Sequence, residues 1–249
     1  MADSPEDPIT AAAKELVKQI PVKAVYKEGL SPAVQEMGGT LGDIMKTLRL
    51  VLAPVQALAA VQDRYRAFLD RAVRRVPEER RTAPPPQILG PVLESIRYEP
   101  EDTPIDEMFS ELLSRSMDSE RQGEAHPSYP IIIKQLSSDE AKLLVLIRDH
   151  KYEVIFRDRH AGGRAYREAT ELDEFPRDEL AFPDNLSFYM NHLDQLKLAG
   201  IYEHRNQEPI FFEDGRQWGV RIYSRYRLTQ FGASFLQACT PAQSEGESG

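Results

Sequence analysis

Apolar residues recur at helical spacing through most of the first 150 positions and at strand spacing through much of the remainder. The strongest run is Ile44, Leu48, Val51, Val55, Leu58, Tyr65, Leu69 and Val76, with Lys46, Arg49, Gln56, Asp63, Arg66, Asp70 and Arg74 filling much of the opposite face. This predicts a long amphipathic helix, or two, from about Thr40 to Val76. Pro54 either kinks it or splits it, because proline removes a backbone donor and clashes with the preceding turn. Between Leu50 and Val61 the pattern is apolar nearly all round and asks for burial on more than one side. Ahead of it, Ile9–Ile20 reads as a short helix stopped by Pro21. A second helical stretch follows over Val22–Met37, with Ser31-Pro32 as cap and first-turn proline.

Pro77–Pro86 reads as an extended linker. Helices are expected over Gln87–Arg97 and from Thr103-Pro104 onward, the latter with Met108, Phe109, Leu112, Leu113 and Met117 inside. Another starts at Ser137-Ser138-Asp139-Glu140, with the glutamate close to the capping-box position. Beyond residue 150 the period shortens. Tyr152–Arg157 is strand-like, and Ala161-Gly-Gly-Arg164 turns it back through Ala165–Glu168. Leu186–Leu198 is a helix with Gly200 as its C-cap; Ile201–His204 and Val220–Leu228 pair as strands around a polar loop; Thr229–Leu236 is a last helix. Helix, helix, hairpin wing and closing helix is a winged-helix order. The expected fold is mainly α, close to all-α, with a small β component. It comprises an extension over residues 1–21, a helical domain over 22–136 with the proline-rich linker near 77–86, a winged-helix-like domain over 137–239, and a disordered tail over 240–249.

Composition narrows the functional classes. With 41% apolar and 29% charged residues, the 249-residue chain is of ordinary soluble globular type. Cys239 is the lone cysteine, so neither a disulfide nor a cysteine-based zinc site is built from this chain. The formal net charge of −9 argues against a protein made chiefly to neutralise phosphate. The acidity is central: residues 101–149 carry five positive and eleven negative charges. The basic run from Arg64 to Arg81 falls near a predicted helix C-terminus, where cations favour the helix dipole. The acidic Met1–Pro8 lacks the order of a secretory signal, and with the lone thiol it predicts a cytoplasmic protein. Leu50–Val61 is short of the ~20 apolar residues a membrane span requires. No integral span is therefore expected; Leu50, Leu52, Pro54 and Leu58 form a core segment that offers, at most, transient membrane contact.

A series of short motifs then runs in order through the chain: Leu30-Ser-Pro-Ala-Val-Gln-Glu-Met-Gly-Gly-Thr-Leu-Gly42, Leu52-Ala-Pro54, Met108-Phe-Ser-Glu-Leu-Leu113, Met117-Asp118, His126-Pro-Ser-Tyr129, Gln135-Leu-Ser-Ser-Asp-Glu-Ala141, Leu228-Thr-Gln-Phe-Gly232 and Phe235-Leu-Gln-Ala-Cys239. Together they resemble the Abi-alpha (abortive infection alpha) family of bacterial proteins over roughly Ala24 to Cys239. The resemblance implies a role in anti-phage defence through dormancy or death of the infected cell. It brings no catalytic residues with it.

The chain's own chemistry is sparse. Its histidines, His126, His150, His160, His192 and His204, form no HExxH or His-x-His pair, and the sequence predicts no catalytic, cofactor or metal site. His126 opens a family-like motif and reads as a turn histidine bonded to backbone. Asp106, Glu107 and Glu111, and likewise Asp139 and Glu140, read as helix-start carboxylates. Ser128 and Cys239 lack the glycines of a nucleophile elbow, and Cys239 reads as core. On a winged helix, the helix from Leu186 would offer phosphate only Lys197, beside a repelling Asp194. The wing strand places Arg221, Arg225 and Arg227 on one face. With Lys197 they form the candidate interaction surface. The expected function is non-enzymatic defence through an unknown phage or host protein partner, homo-oligomerisation or membrane perturbation. A DNA-binding regulator is the alternative, and a hydrolase or nuclease using His126 with nearby acids ranks last.

Overall fold

A computed structural model describes residues 59–161 and 164–241. The predicted helices before Ala59, Pro54 with its kink, and Leu50, Leu52 and Leu58 lie outside the described residues, as do the Gly162-Gly163 turn and the end of the tail. The chain divides into two compact units, Met1–Asp70 and Arg71–Gly249. The first is described only through the start of helix α1 (Ala59–Arg74), where Tyr65 and Phe68 are buried.

The second unit begins with the end of α1, where Ala72 is buried, and continues past a 3-10 turn at Glu78–Arg80. The proline-rich stretch is tied down: the Thr82 amide donates to the Met117 carbonyl (2.8 Å), and the Ser119 amide to that of Arg80 (2.9 Å). Helix α2 (Pro86–Ile96) opens on proline, and α3 (Pro104–Ser116) is capped by Thr103, whose hydroxyl accepts the Asp106 amide at 3.1 Å. This is the start signal the sequence carried. Helix α3 is the hub, packing against α2, α4 (Tyr129–Ile133), α5 (Ser138–Asp149) and α7 (Gln230–Cys239). It is buried on every side, not only along the predicted inner face. Most of its polar residues are paired, though Ser110 Oγ is buried with no hydrogen-bond partner among the described residues. Arg71 binds Asp106, Arg75 binds Glu111 (2.5 Å), and Ser114 and Ser116 donate back to the carbonyls of Glu111 and Leu113, both at 2.7 Å. Glu111 is therefore no helix-start carboxylate: it sits in the second turn, inside the protein.

The chain is not all-α, and its β component is not small. Strands β1 (Glu153–Ala161), β2 (Arg164–Asp173), β3 (Ala199–Glu203), β4 (Glu208–Phe211) and β5 (Gln217–Leu228) form one antiparallel sheet ordered β2-β1-β5-β3, with β4 sharing with β3 one edge of β5. The sequence reading underestimated it because β1 and β2 run on through charged residues with no apolar alternation. Cross-strand charge pairs such as Arg167–Asp158 (2.5 Å) take the place of hydrophobic ones. Strand β4 lies inside the predicted polar loop. Its hairpin to β5 turns at Gly215, whose φ of +80° suits glycine.

Helices α5 and α7 lie against β5, and α6 (Leu186–Gln195) against β3, so one face of the sheet, with Val154, Val220, Ile222 and Tyr226, is covered. Helix α6 ends three residues earlier than its sequence pattern indicated. Its C-cap is not Gly200, which lies within β3, but Leu196, followed by Lys197 in the left-handed conformation at φ 59°. The Leu198 amide reaches the Leu193 carbonyl (2.9 Å) and that of Lys197 reaches Asp194 (3.0 Å), a Schellman ending with lysine where glycine is usual. The Leu228-Thr-Gln-Phe-Gly232 motif has a local cause. Thr229 caps α7 by accepting the Gly232 amide (2.9 Å), its hydroxyl donates to the Lys197 carbonyl, and its amide donates to that of Leu198 (2.9 Å). A Cβ at Gly232 would lie 1.8 Å from the Leu198 oxygen. No helix among the described residues is long and apolar enough to cross a membrane.

Candidate functional site

Strict alternation along β5 puts Val220, Ile222, Ser224 and Tyr226 on the covered face and Arg221, Tyr223, Arg225 and Arg227 on the open one. The three arginines thus share a face as expected, with Tyr223 among them and Tyr226 opposite. Arg221 stands directly across from Arg157 of β1, a like-charge pair that repels unless something lies between. Glu171 of β2 does, accepting from Arg157 (3.0 Å) and from Arg221 (2.5 Å). Glu168 takes the other side of Arg157 (2.8 Å), and Glu208 of β4 the other side of Arg221 (3.1 Å) while accepting the Tyr223 hydroxyl (2.5 Å). Acid and base therefore alternate across four strands. The Arg221 hydrogen bond, outweighing desolvation, holds the Glu171 carboxyl below its ordinary range; Tyr223 and Arg221 do the same for Glu208.

Arg225 and Arg227 lie outside this ladder. Arg225 pairs in register with Glu153 and Tyr202, but Glu153 is engaged by His204 Nε2 at 2.7 Å. Neither arginine meets a carboxylate among the described residues. Lys197 precedes β3 at the end of the sheet where Gly200 pairs with Arg227; it is exposed, with Asp194 at 3.9 Å.

The remaining candidates make hydrogen bonds or packing contacts within the chain. His126 is exposed in its turn, with Nδ1 accepting the Ser128 amide (3.1 Å) and lying 2.7 Å from the Ser128 hydroxyl. Asp139 and Glu140 are both buried. Asp139 accepts the amides of Ala181 (2.8 Å) and Phe182 (2.9 Å) and the Tyr189 hydroxyl (3.0 Å). Burial pushes its carboxyl up, but those donors outweigh burial and hold it below the usual range. Glu140 completes the capping box with Ser137, and its other oxygen meets His192 Nδ1 at 2.7 Å, tying α5 to α6. Cys239 is wholly buried, and burial, with Glu111 nearby, pushes its thiol well up. Among the described residues no three His, Cys, Asp or Glu side chains gather as for a metal ion.

Three arginines that the sequence reading passed over also converge. Arg115 of α3, Arg121 in the turn that follows and Arg148 near the end of α5 meet beside the end of α7. Their only sequence signal was arginine at a position of α3 that its neighbours bury.

The abortive infection alpha family model matches residues 56–239, nearly three quarters of the chain. The chain belongs to that family. Within this abortive infection alpha protein the match takes in α2 through α7 and the whole sheet, so the Thr229 cap, Gly232 and the Asp139–Glu140 staple lie inside the family region. Neither a curated protein nor a solved structure matches the chain.

Proposed function

We propose that this protein serves in abortive infection, as a bacterial defence against phage, and acts by binding a protein partner through the open face of its sheet. The observation that carries the defence reading is the family match over residues 56–239. Binding is supported by the surface itself: Arg225, Arg227 and Lys197 lie at one end of the sheet with Tyr202, 37% exposed, on the adjoining strand. Arginine and tyrosine are the residues interfaces favour. The order of helices and strands over residues 137–239 supports a winged-helix-like reading, with the β4–β5 hairpin as wing and exposed Phe211 and Phe212 near its turn. Such a module suits protein docking better than groove reading. Tracking phosphates needs several uncommitted cations, and Arg221 is held by two carboxylates.

Phage challenge of bacteria expressing the protein tests both parts. The expected result is reduced plaquing, with infected cells arresting or dying before they release phage. An Arg225→Glu/Arg227→Glu variant with an unchanged circular dichroism spectrum should lose protection and lose its partner in affinity capture. Equal plaquing with and without the protein across a phage panel overturns the defence reading. Full protection by the variant overturns the surface.

A further inference from the structure

Arg115, Arg121 and Arg148 line a cleft of about 310 Å³ beside the end of α7, whose apolar wall is Leu228, Ala233 and Pro241. No carboxylate among the described residues lines it. Arg115 is only 2% exposed. It donates through Nη1 to Glu124 (2.6 Å) and through Nη2 to the Thr240 carbonyl (2.8 Å), while its Nε is buried with no hydrogen-bond acceptor among the described residues, 4.0 Å from Glu111. Arg121 reaches the same Glu124 oxygen at 3.4 Å. Arg148 donates to the Thr240 hydroxyl (2.7 Å) and is steadied by Asp149 (2.6 Å). Glu124 thus serves two guanidinium groups, with Glu111 farther off at 4.0 Å from Arg115, and the third is oriented by a hydroxyl and its own neighbour.

We infer that this cleft binds the phosphate group of a small organic phosphate monoester. Guanidinium forks match phosphate oxygens in geometry and charge. Three of them, set by three separate segments, suit the three terminal oxygens and double charge of a monoester better than the two oxygens of a carboxylate. The cleft is larger than a phosphate ion, and its apolar wall gives the organic body a surface. The buried guanidinium is pre-ordered by the Thr240 carbonyl, so less side-chain freedom is lost on binding. This site is separate from the sheet face and stands or falls independently of the partner-binding reading.

The test is calorimetry and thermal shift on the full chain with inorganic phosphate, AMP and adenosine at matched ionic strength. Phosphate and AMP should bind and raise the melting temperature, and adenosine should do neither. Arg121→Gln and Arg148→Gln should each weaken AMP binding by roughly ten-fold. Gln237→Glu, at an exposed position of the cleft lining on α7, should abolish it while leaving all three arginines in place. Should an arginine variant lose its fold, Gln237→Glu decides alone. Absence of binding by both anions, equal binding of adenosine, unchanged affinity in Gln237→Glu, or capture on phosphatidylglycerol vesicles without binding of soluble phosphate would each overturn the inference.

Discussion

The paired arginines of the open sheet face and Arg115 beside the end of α7 are the same side chain under opposite regimes. On the sheet, Arg157 and Arg221 are about one-third exposed and share three carboxylates, so their charge is cancelled in place. Beside α7, Arg115 is buried and leans on a backbone carbonyl and one shared glutamate. The first arrangement glues strands together with pairs that water screens. The second stakes a desolvated charge on a few fixed partners. An arginine's role thus follows from what its guanidinium touches, which a count of positive residues does not reveal.

Replacing one arginine of each set breaks the contrast most directly. Arg115→Met should cost about 3–5 kcal/mol, because Glu124 and the Thr240 carbonyl lose a buried partner; the urea midpoint reads this. The next largest effect belongs to the seam where the two regions meet. Gly232 of α7 abuts the Leu198 carbonyl at the entry to β3, and Gly232→Ala should cost about 1–3 kcal/mol through overpacking. Retention of the wild-type midpoint would mean that the seam opens freely. Arg221→Gln should cost less than about 1 kcal/mol, and the loss should shrink further in high salt. A loss there as large as that of Arg115→Met would erase the distinction between the two sets.

Acid titration sharpens the comparison without perturbing the packing. The folded state holds Glu171 below its unfolded value of about 4.3, so its stabilisation is present above that pH and fades as pH falls through the folded value. Glu111 behaves oppositely. Burial outweighs Arg75 and raises its carboxyl, so its favourable contribution exists at low pH and is lost as pH rises through the raised value. Glu171→Gln should therefore remove a rising limb from stability plotted against pH, and Glu111→Gln a falling one. Limbs of the same sign in the two variants would refute the assignment.

Much of the local architecture was legible in the sequence because its causes are local. The caps at Thr103 and at Ser137 with Glu140 announce α3 and α5 through short-range hydrogen bonds, whereas Thr229, read as the first residue of the last helix, is the cap of α7. The shared face of Arg221, Arg225 and Arg227 follows from alternation alone. Illegible parts depend on distant residues. The pairing of β4 with β5 is decided by register across a turn, the extent of β1 and β2 by cross-strand charge, and the left-handed turn at Lys197 by the carbonyls that Thr229 engages. The cleft arginines are separated by segments that carry no common spacing, and only folding brings them together.

The buried thiol of Cys239 has a practical consequence. With its ionisation suppressed and no solvent path in the closed state, it should react with an alkylating reagent only when α7 lifts away. Because Thr240, the next residue, accepts the Arg115 guanidinium, that labelling rate is a native clock for opening at the cleft. The protein carries a single-site probe of its own breathing, with no engineered label.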